Sequence, residues 1–325
     1  MIEKHIVLED VDPVVFYGVN NTNIQMIKAL YPKLRIVARG NIIKVMGDEE
    51  EMCAFEENIM AIEQHCVKYN SLKEEDILAI IKGKKTPKES AEGVIVYSVN
   101  GKPITARSEN QQKLVKAYEN NDMIFAIGPA GSGKTYTSIA LAVRALKNKE
   151  IRKIILSRPA VEAGEKLGFL PGDMKEKLDP YLQPLYDALN DMIPPAKLAK
   201  YLEEGTVQIA PLAYMRGRTL DNAFVILDEA QNTTLPQIKM FLTRMGRNAK
   251  FIVTGDVTQI DLPKKSDSGL TRSMEILRGV EGIGIVEFDK RDIVRHQLVK
   301  YIVDAFDKYA GDTRKEPEQS NSKTE

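Results

Sequence analysis

Eight residues constrain this chain more than any others: Gly128-Pro129-Ala130-Gly131-Ser132-Gly133-Lys134-Thr135. An apolar run, Met123-Ile124-Phe125-Ala126-Ile127, leads into them, and helical spacing from Thr137 to Leu146 leads out. Strand, glycine-rich turn and helix in that order make a cradle for phosphate. The glycines let backbone N–H groups wrap the anion, and the helix N-terminus adds its positive end. Lys134 is placed to bridge a β- and a γ-phosphate, and Thr135 to offer its hydroxyl to Mg²⁺. Tyr136, next in line, is grouped with them as a nucleotide-binding position. The pattern predicts ATP with Mg²⁺ as the ligand.

The surrounding chain, from about 102 to 310, alternates short apolar runs with helical stretches. Strands are predicted at Met123–Ile127, Lys153–Ser157, Val207–Ala210, Phe224–Leu227, Phe251–Thr254 and Ile283–Phe288. Short β-branched strands separated by helices predict an α/β fold, a parallel sheet covered by helices on both faces. The run Phe224-Val225-Ile226-Leu227 ends abruptly in Asp228-Glu229-Ala230-Gln231. A strand end places Asp228 at the carboxyl edge of the sheet, where such folds hold ligands, as a carboxylate for Mg²⁺. Glu229 is then the group to orient and deprotonate a water, which turns the reading from phosphate transfer toward hydrolysis. Phe251-Ile252-Val253-Thr254-Gly255-Asp256-Val257-Thr258-Gln259 repeats the design, with Thr254, Asp256 and Gln259 set to sense a γ-phosphate.

Elsewhere the residues say less. Residues 1–70 read as a small α+β domain: a strand at Ile6-Val7-Leu8, a helix ending near Pro32, a hairpin around Arg39-Gly40-Asn41 and a helix from Glu49 to Tyr69. Residues 71–101 are polar and lysine-rich, read as a linker with one weak helix, and 311–325 as a disordered tail. Forty-six basic residues balance 46 acidic ones, so nucleic acid is not bound by bulk charge, although a local basic face from Lys33, Arg35, Arg39 and Lys44 remains open. Two cysteines, Cys53 and Cys66, are too few for a disulfide framework. His65 beside Cys66 reads as core packing. Neither a signal peptide nor a membrane span is visible, which predicts a cytoplasmic protein and no membrane partner.

Taken together, the three strand-end motifs resemble those of a RecA-like ATPase of the superfamily-one helicase type, with Asn110-Gln111 standing where an adenine-reading glutamine, Gln111, is expected. Ser157-Arg158-Pro159-Ala160-Val161-Glu162-Ala163-Gly164-Glu165, Leu167-Gly168-Phe169-Leu170-Pro171-Gly172-Asp173, Tyr214-Met215-Arg216-Gly217-Arg218-Thr219 and Asp292-Ile293-Val294-Arg295-His296 narrow the match. They are similar to the PhoH family of bacterial ATPases over about 102–309. That resemblance implies a RecA-like P-loop NTPase, ATP hydrolysis, and a link to RNA metabolism and phosphate starvation. Helicases of that type complete their site with an arginine from a second RecA-like domain, and this chain has length for one. A homo-oligomer, a ring or head-to-tail, is therefore expected to supply it, with Arg291 and Arg295 first and Arg158, Arg216 and Arg218 next.

The N-terminal domain resembles a KH-like module, whose Gly-x-x-Gly turn is represented by Gly18-Val19-Asn20-Asn21, without the second glycine and with Asp10-Val11-Asp12-Pro13 in place of the preceding helix. Contact with RNA and contact with another subunit or an RNA-processing protein both stay open for it. The long stretch Gly164–Leu189 is expected to project toward RNA or a neighbour. The other classes carried forward are a P-loop kinase and a nucleotide-dependent switch that docks a protein.

Overall fold

The computed structural model describes residues 2–9, 11–88, 93–159, 174–293, 298 and 302, and of 174–180 only the backbone. Arg295, the motif from Glu162 to Asp173 and the expected tail 311–325 lie outside the described residues.

The N-terminal region runs β1 (Ile2–Val7), α1 (Pro13–Tyr17), α2 (Thr22–Leu30), β2 (Arg35–Arg39), β3 (Ile42–Gly47) and α3 (Glu49–Tyr69). Its sheet is antiparallel in the order β1-β3-β2. The pleat sends Ile6, Ile36, Ile43 and Val45 inward, where Met52, Phe55, Ile59 and Ile62 recur at helical spacing on α3 and close the core. The opposite face leaves Arg35, Val37, Arg39 and Ile42 exposed. A helix does precede the Gly18 turn, contrary to the sequence reading. Asp12 caps α1 by accepting from the Val14 N–H at 2.9 Å, with Pro13 at the first helical position.

The segment 71–101 contains the one helix expected there, α4 (Glu74–Ile81), and an unexpected strand, β4 (Val94–Tyr97), so it is more than a linker. Ile77 of α4 joins the N-terminal core with Ile80 and Ile81 at its margin, while Ile95 and Val96 of β4 join the core of the larger domain. Asn70, in left-handed conformation at the end of α3, ties the two parts together: its side-chain amide donates to the carbonyls of Tyr97, Ser98 and Met192.

β5 (Pro103–Thr105) pairs with β4, and α5 (Glu109–Asn120) leads into the main sheet. That sheet is built from β6 (Met123–Ile127), β7 (Lys153–Arg158), β8 (Val207–Pro211), β9 (Ala223–Leu227), β10 (Lys250–Gly255) and β11 (Ile283–Glu287). All pairings are parallel, in the order β11-β6-β10-β9-β7-β8. Each predicted strand falls within a residue or so of an observed one. Successive residues face opposite sides, so Ile124, Ala126, Phe224 and Ile226 pack under α6 (Lys134–Lys147), whereas Phe125, Val225, Leu227 and Phe251 pack on α9 (Leu235–Leu242) and α10 (Gly269–Leu277). The sheet is therefore buried on both sides, which is why its strands read as unbroken apolar runs.

α7 (Met174–Met192) and α8 (Pro195–Glu203) complete the α6 side. Leu182, Leu185, Leu189 and Met192 are buried there, so this half of the stretch expected to project instead packs against the core. Its apolar residues recur every three to four positions, and burying that stripe outweighs extension into solvent. No helix among the described residues is long and apolar enough to cross a membrane.

Candidate active site

Strand order brings the motifs to one edge. β10 lies between β6 and β9, so the carboxyl ends carrying Gly128, Gly255 and Asp228 are adjacent, and β7 brings Arg158 up beside them. The Gly128 N–H donates to the Gly255 carbonyl at 3.0 Å, locking the loop to the neighbouring strand. A Cβ at Gly128 would lie 2.4 Å from the Phe288 carbonyl oxygen, so only glycine lets the chain pass there. Gly133 takes φ +82°, and a Cβ on it would meet the Gln111 side chain at 2.6 Å.

Lys134 is buried, and burial pushes its ammonium pKa down. Its Nζ donates to the carbonyls of Gly128 and Pro129 at 2.7 and 2.8 Å, holding its charge over the mouth of the loop where oxygen acceptors gather. The Thr135 hydroxyl donates to Asp228 Oδ1 at 2.6 Å, and Thr254 Oγ1 donates to the same oxygen at 2.7 Å. Asp228 is thus buried and aimed from two sides. A hydroxyl and a carboxylate at this separation are the hard oxygen donors Mg²⁺ takes alongside phosphate and water, so the residues present fit that ion.

Glu229 has φ +53°, a left-handed conformation that costs a non-glycine residue on the order of 1–3 kcal/mol. Two bonds hold it there: the Gln231 side chain donates to its Oε2, and the Asn232 N–H donates to its carbonyl. Burial first, and the Asp228 charge second, raise the Glu229 pKa. A carboxyl with raised proton affinity is suited to accept a proton from water.

The third motif serves the loop as much as the ligand. Asp256 accepts from the Ala130 N–H and from the Gln259 side chain, each at 3.0 Å, and from Thr258 Oγ1 at 2.6 Å. Thr254 aims Asp228, Asp256 clamps the loop, and Gln259 is left lining the cleft.

That cleft, about 640 Å³, is lined by Ala130, Gly131, Gly133, Lys134, Thr135 and Tyr136, by Asp228, Glu229, Asp256 and Gln259, and by Arg158. Pro184, Asp187 and Asp191 of α7 form the far wall, and Tyr136 donates to Asp191. These α7 residues were not anticipated, since nothing local marks them. Two other expectations meet a different geometry. Gln111 stands behind the loop, where its side chain donates to the Ser132 carbonyl at 3.0 Å and accepts from the Arg107 N–H at 2.8 Å, so it braces the turn. Arg291 is outside the cleft and forks onto Asp289, with contacts from 2.7 to 3.2 Å. Arg218 donates to Gln208 of β8 at 2.6 Å and does not line the cleft, and Arg216 is exposed. His65 and Cys66 are buried in the N-terminal core as expected, with Asp76 of α4 facing the His65 ring at 3.4 Å. Among the described residues no cluster of three His, Cys, Asp or Glu side chains could hold a metal.

A strand between the loop strand and the acid-bearing strand, with all three ending at one edge beside the glycine-rich loop, defines an α/β P-loop core of RecA-like build. The sequence comparisons give the family. The PhoH-like protein family matches residues 103–307. The chain is similar to a PhoH-like protein of Bacillus subtilis (strain 168), 51% identical over 280 residues, covering 85% of this chain and 88% of that one. It is also similar to a PhoH-like protein of Mycobacterium tuberculosis (strain ATCC 25618 / H37Rv), at 46% over 308 residues, covering 92% and 87%. Protein PhoH of Escherichia coli (strain K12) is 50% identical over 206 residues, covering 63% of this chain and 58% of that one. The chain belongs to the PhoH-like family.

Proposed function

We propose that the protein hydrolyses ATP with Mg²⁺ and couples the reaction to RNA. The carrying observation is that Lys134, Thr135, Asp228 and Glu229, from separate points of the fold's edge, face one cleft. In this reading the N–H groups of 130–135 and the Lys134 ammonium bind the β- and γ-phosphates. Thr135 and Asp228 hold Mg²⁺, whose part is to draw charge from the phosphate oxygens. Glu229 orients a water in line with the γ-phosphorus and takes its proton as the new P–O bond forms, and the terminal P–O bond breaks with ADP leaving. Gln259 is placed to sense the γ-phosphate.

Support for RNA comes from the N-terminal region. Its outer sheet face shows Arg35 and Arg39 beside Val37 and Ile42, and the turn 18–21 lies between α1 and α2, as the KH-like reading requires. The test is phosphate release by the full chain with and without single-stranded RNA over a salt series. Stimulation that weakens with salt supports the coupling. Phosphate appearing on an acceptor instead of in solution would make it a kinase, and nucleotide binding without release would make it a switch.

A further inference from the structure

Among the described residues, Arg158 is the cation lining the cleft that the hydrolytic scheme leaves unused. It ends β7, where the following Pro159 favours an extended backbone and so continues the strand to the sheet edge. Its guanidinium lies 3.9 Å from Asp228 and 3.5 Å from Glu229, and one nitrogen donates to the Tyr181 carbonyl of α7 at 3.1 Å. The contrast with Arg291 is instructive. Arg291 is closed onto Asp289 in a tight fork, and most of its side chain is in solvent. Arg158 is partly buried and touches both acids only at long range, although a guanidinium has five N–H donors. Together with Lys134 its charge offsets the two neighbouring carboxylates, and among the described residues its one hydrogen-bond acceptor is the Tyr181 carbonyl, which leaves donors toward the cleft.

We propose that Arg158 is the arginine that stabilises the transferring phosphoryl group, supplied by the same chain and not by a neighbour. The proposal rests on the hydrolytic reading above. Asp228 would be committed to holding Mg²⁺, and Arg158, whose contact with that acid is loose at 3.9 Å, would turn its free donors to a γ-phosphate oxygen. The Tyr181 carbonyl keeps the guanidinium anchored to α7, and the planar fork matches phosphate geometry. The consequence is that a single chain holds every group the reaction needs. A homo-oligomer then serves something other than completing the site.

Two measurements test this on the full chain. The first is retention of ADP with aluminium fluoride, a mimic of the transferring phosphoryl group, beside retention of ADP alone. Arg158→Ala is expected to bind ADP within about threefold of wild type yet to lose the fluoroaluminate complex, and turnover to fall by about 10³-fold. Arg158→Lys, which keeps the charge and loses the fork, is expected to fall between. A merely structural arginine would weaken both forms of ADP binding together and overturn the proposal. The second is mixing Arg158→Ala with Lys134→Ala subunits. Action within one chain predicts no recovered turnover, whereas recovery would show the arginine crossing to a neighbour and overturn it. Wild-type chain with no turnover would sink the hydrolytic reading and this one with it; normal turnover in Arg158→Ala would sink this one alone.

Discussion

The two folded regions use the same physics to different ends. In the main domain, chemistry sits where apolar strands stop: Gly128, Arg158, Asp228 and Gly255 each follow or end a strand, and burial of the strands fixes those positions relative to one another. In the N-terminal region the apolar residues build an equally regular core, yet among the described residues none of its strand ends lines the cleft. The polar cluster it buries, His65 with Asp76, joins α3 to α4 and faces no cleft residue. A parallel sheet with every strand end at one edge concentrates function there. An antiparallel sheet spreads its ends over two edges and offers a face instead.

Substitutions separate the regions, and the largest effect is expected at the edge. Glu229→Gln should lower turnover by about 10²–10⁴-fold while nucleotide binding persists, measured by phosphate release beside fluorescent-nucleotide titration. Asp76→Ala removes the buried carboxylate that faces the His65 ring and accepts from the Lys73 N–H. A destabilisation of about 3 kcal/mol is expected in the N-terminal region by hydrogen exchange, with turnover kept. If turnover collapsed with it, the two regions would be one cooperative unit.

The sheet face comes next. Arg35→Glu with Arg39→Glu should weaken single-stranded RNA binding about tenfold. It should also flatten the dependence of log affinity on log salt, by about 0.7 in slope for each phosphate that the protein ceases to neutralise. The smallest effect is expected between the regions. Lys147, the last residue of α6, has its ammonium nitrogen buried without a hydrogen-bond partner among the described residues, and burial lowers its pKa from 10.5 to about 7. The unfolded chain binds this proton more readily, so the group costs stability most at and below pH 7, and the cost fades as pH rises toward 10.5. Lys147→Met should raise the melting midpoint, by an amount equivalent to about 1–3 kcal/mol, at pH 6–7 and by much less at pH 10.

What the chain discloses before folding follows the same division. Gly128 to Thr135, and Asp228 with Glu229, are readable because each is a local event, a strand running into a fixed string of residue types. The nearness of Arg158 to those acids is not local: about 70 residues separate them, and only the pairing of β7 with β9 brings them together. The partnership of Tyr136 with Asp191 needs α7 folded back over α6, and Gln111 behind the loop depends on how α5 packs. The one weak helix expected in 71–101 is α4, whose apolar stripe over Ile77, Ile80 and Ile81 is local, whereas β4 in the same segment goes unread because it and its partner β5 are both short.

The most direct measurement is phosphate release from ATP by the full chain, with Mg²⁺ supplied or chelated, for wild type and Lys134→Ala side by side. Turnover that requires the ion and drops by about 10²–10³-fold or more without the lysine is the predicted result. Release that ignores both the ion and the lysine would contradict a shared phosphate site at this sheet edge.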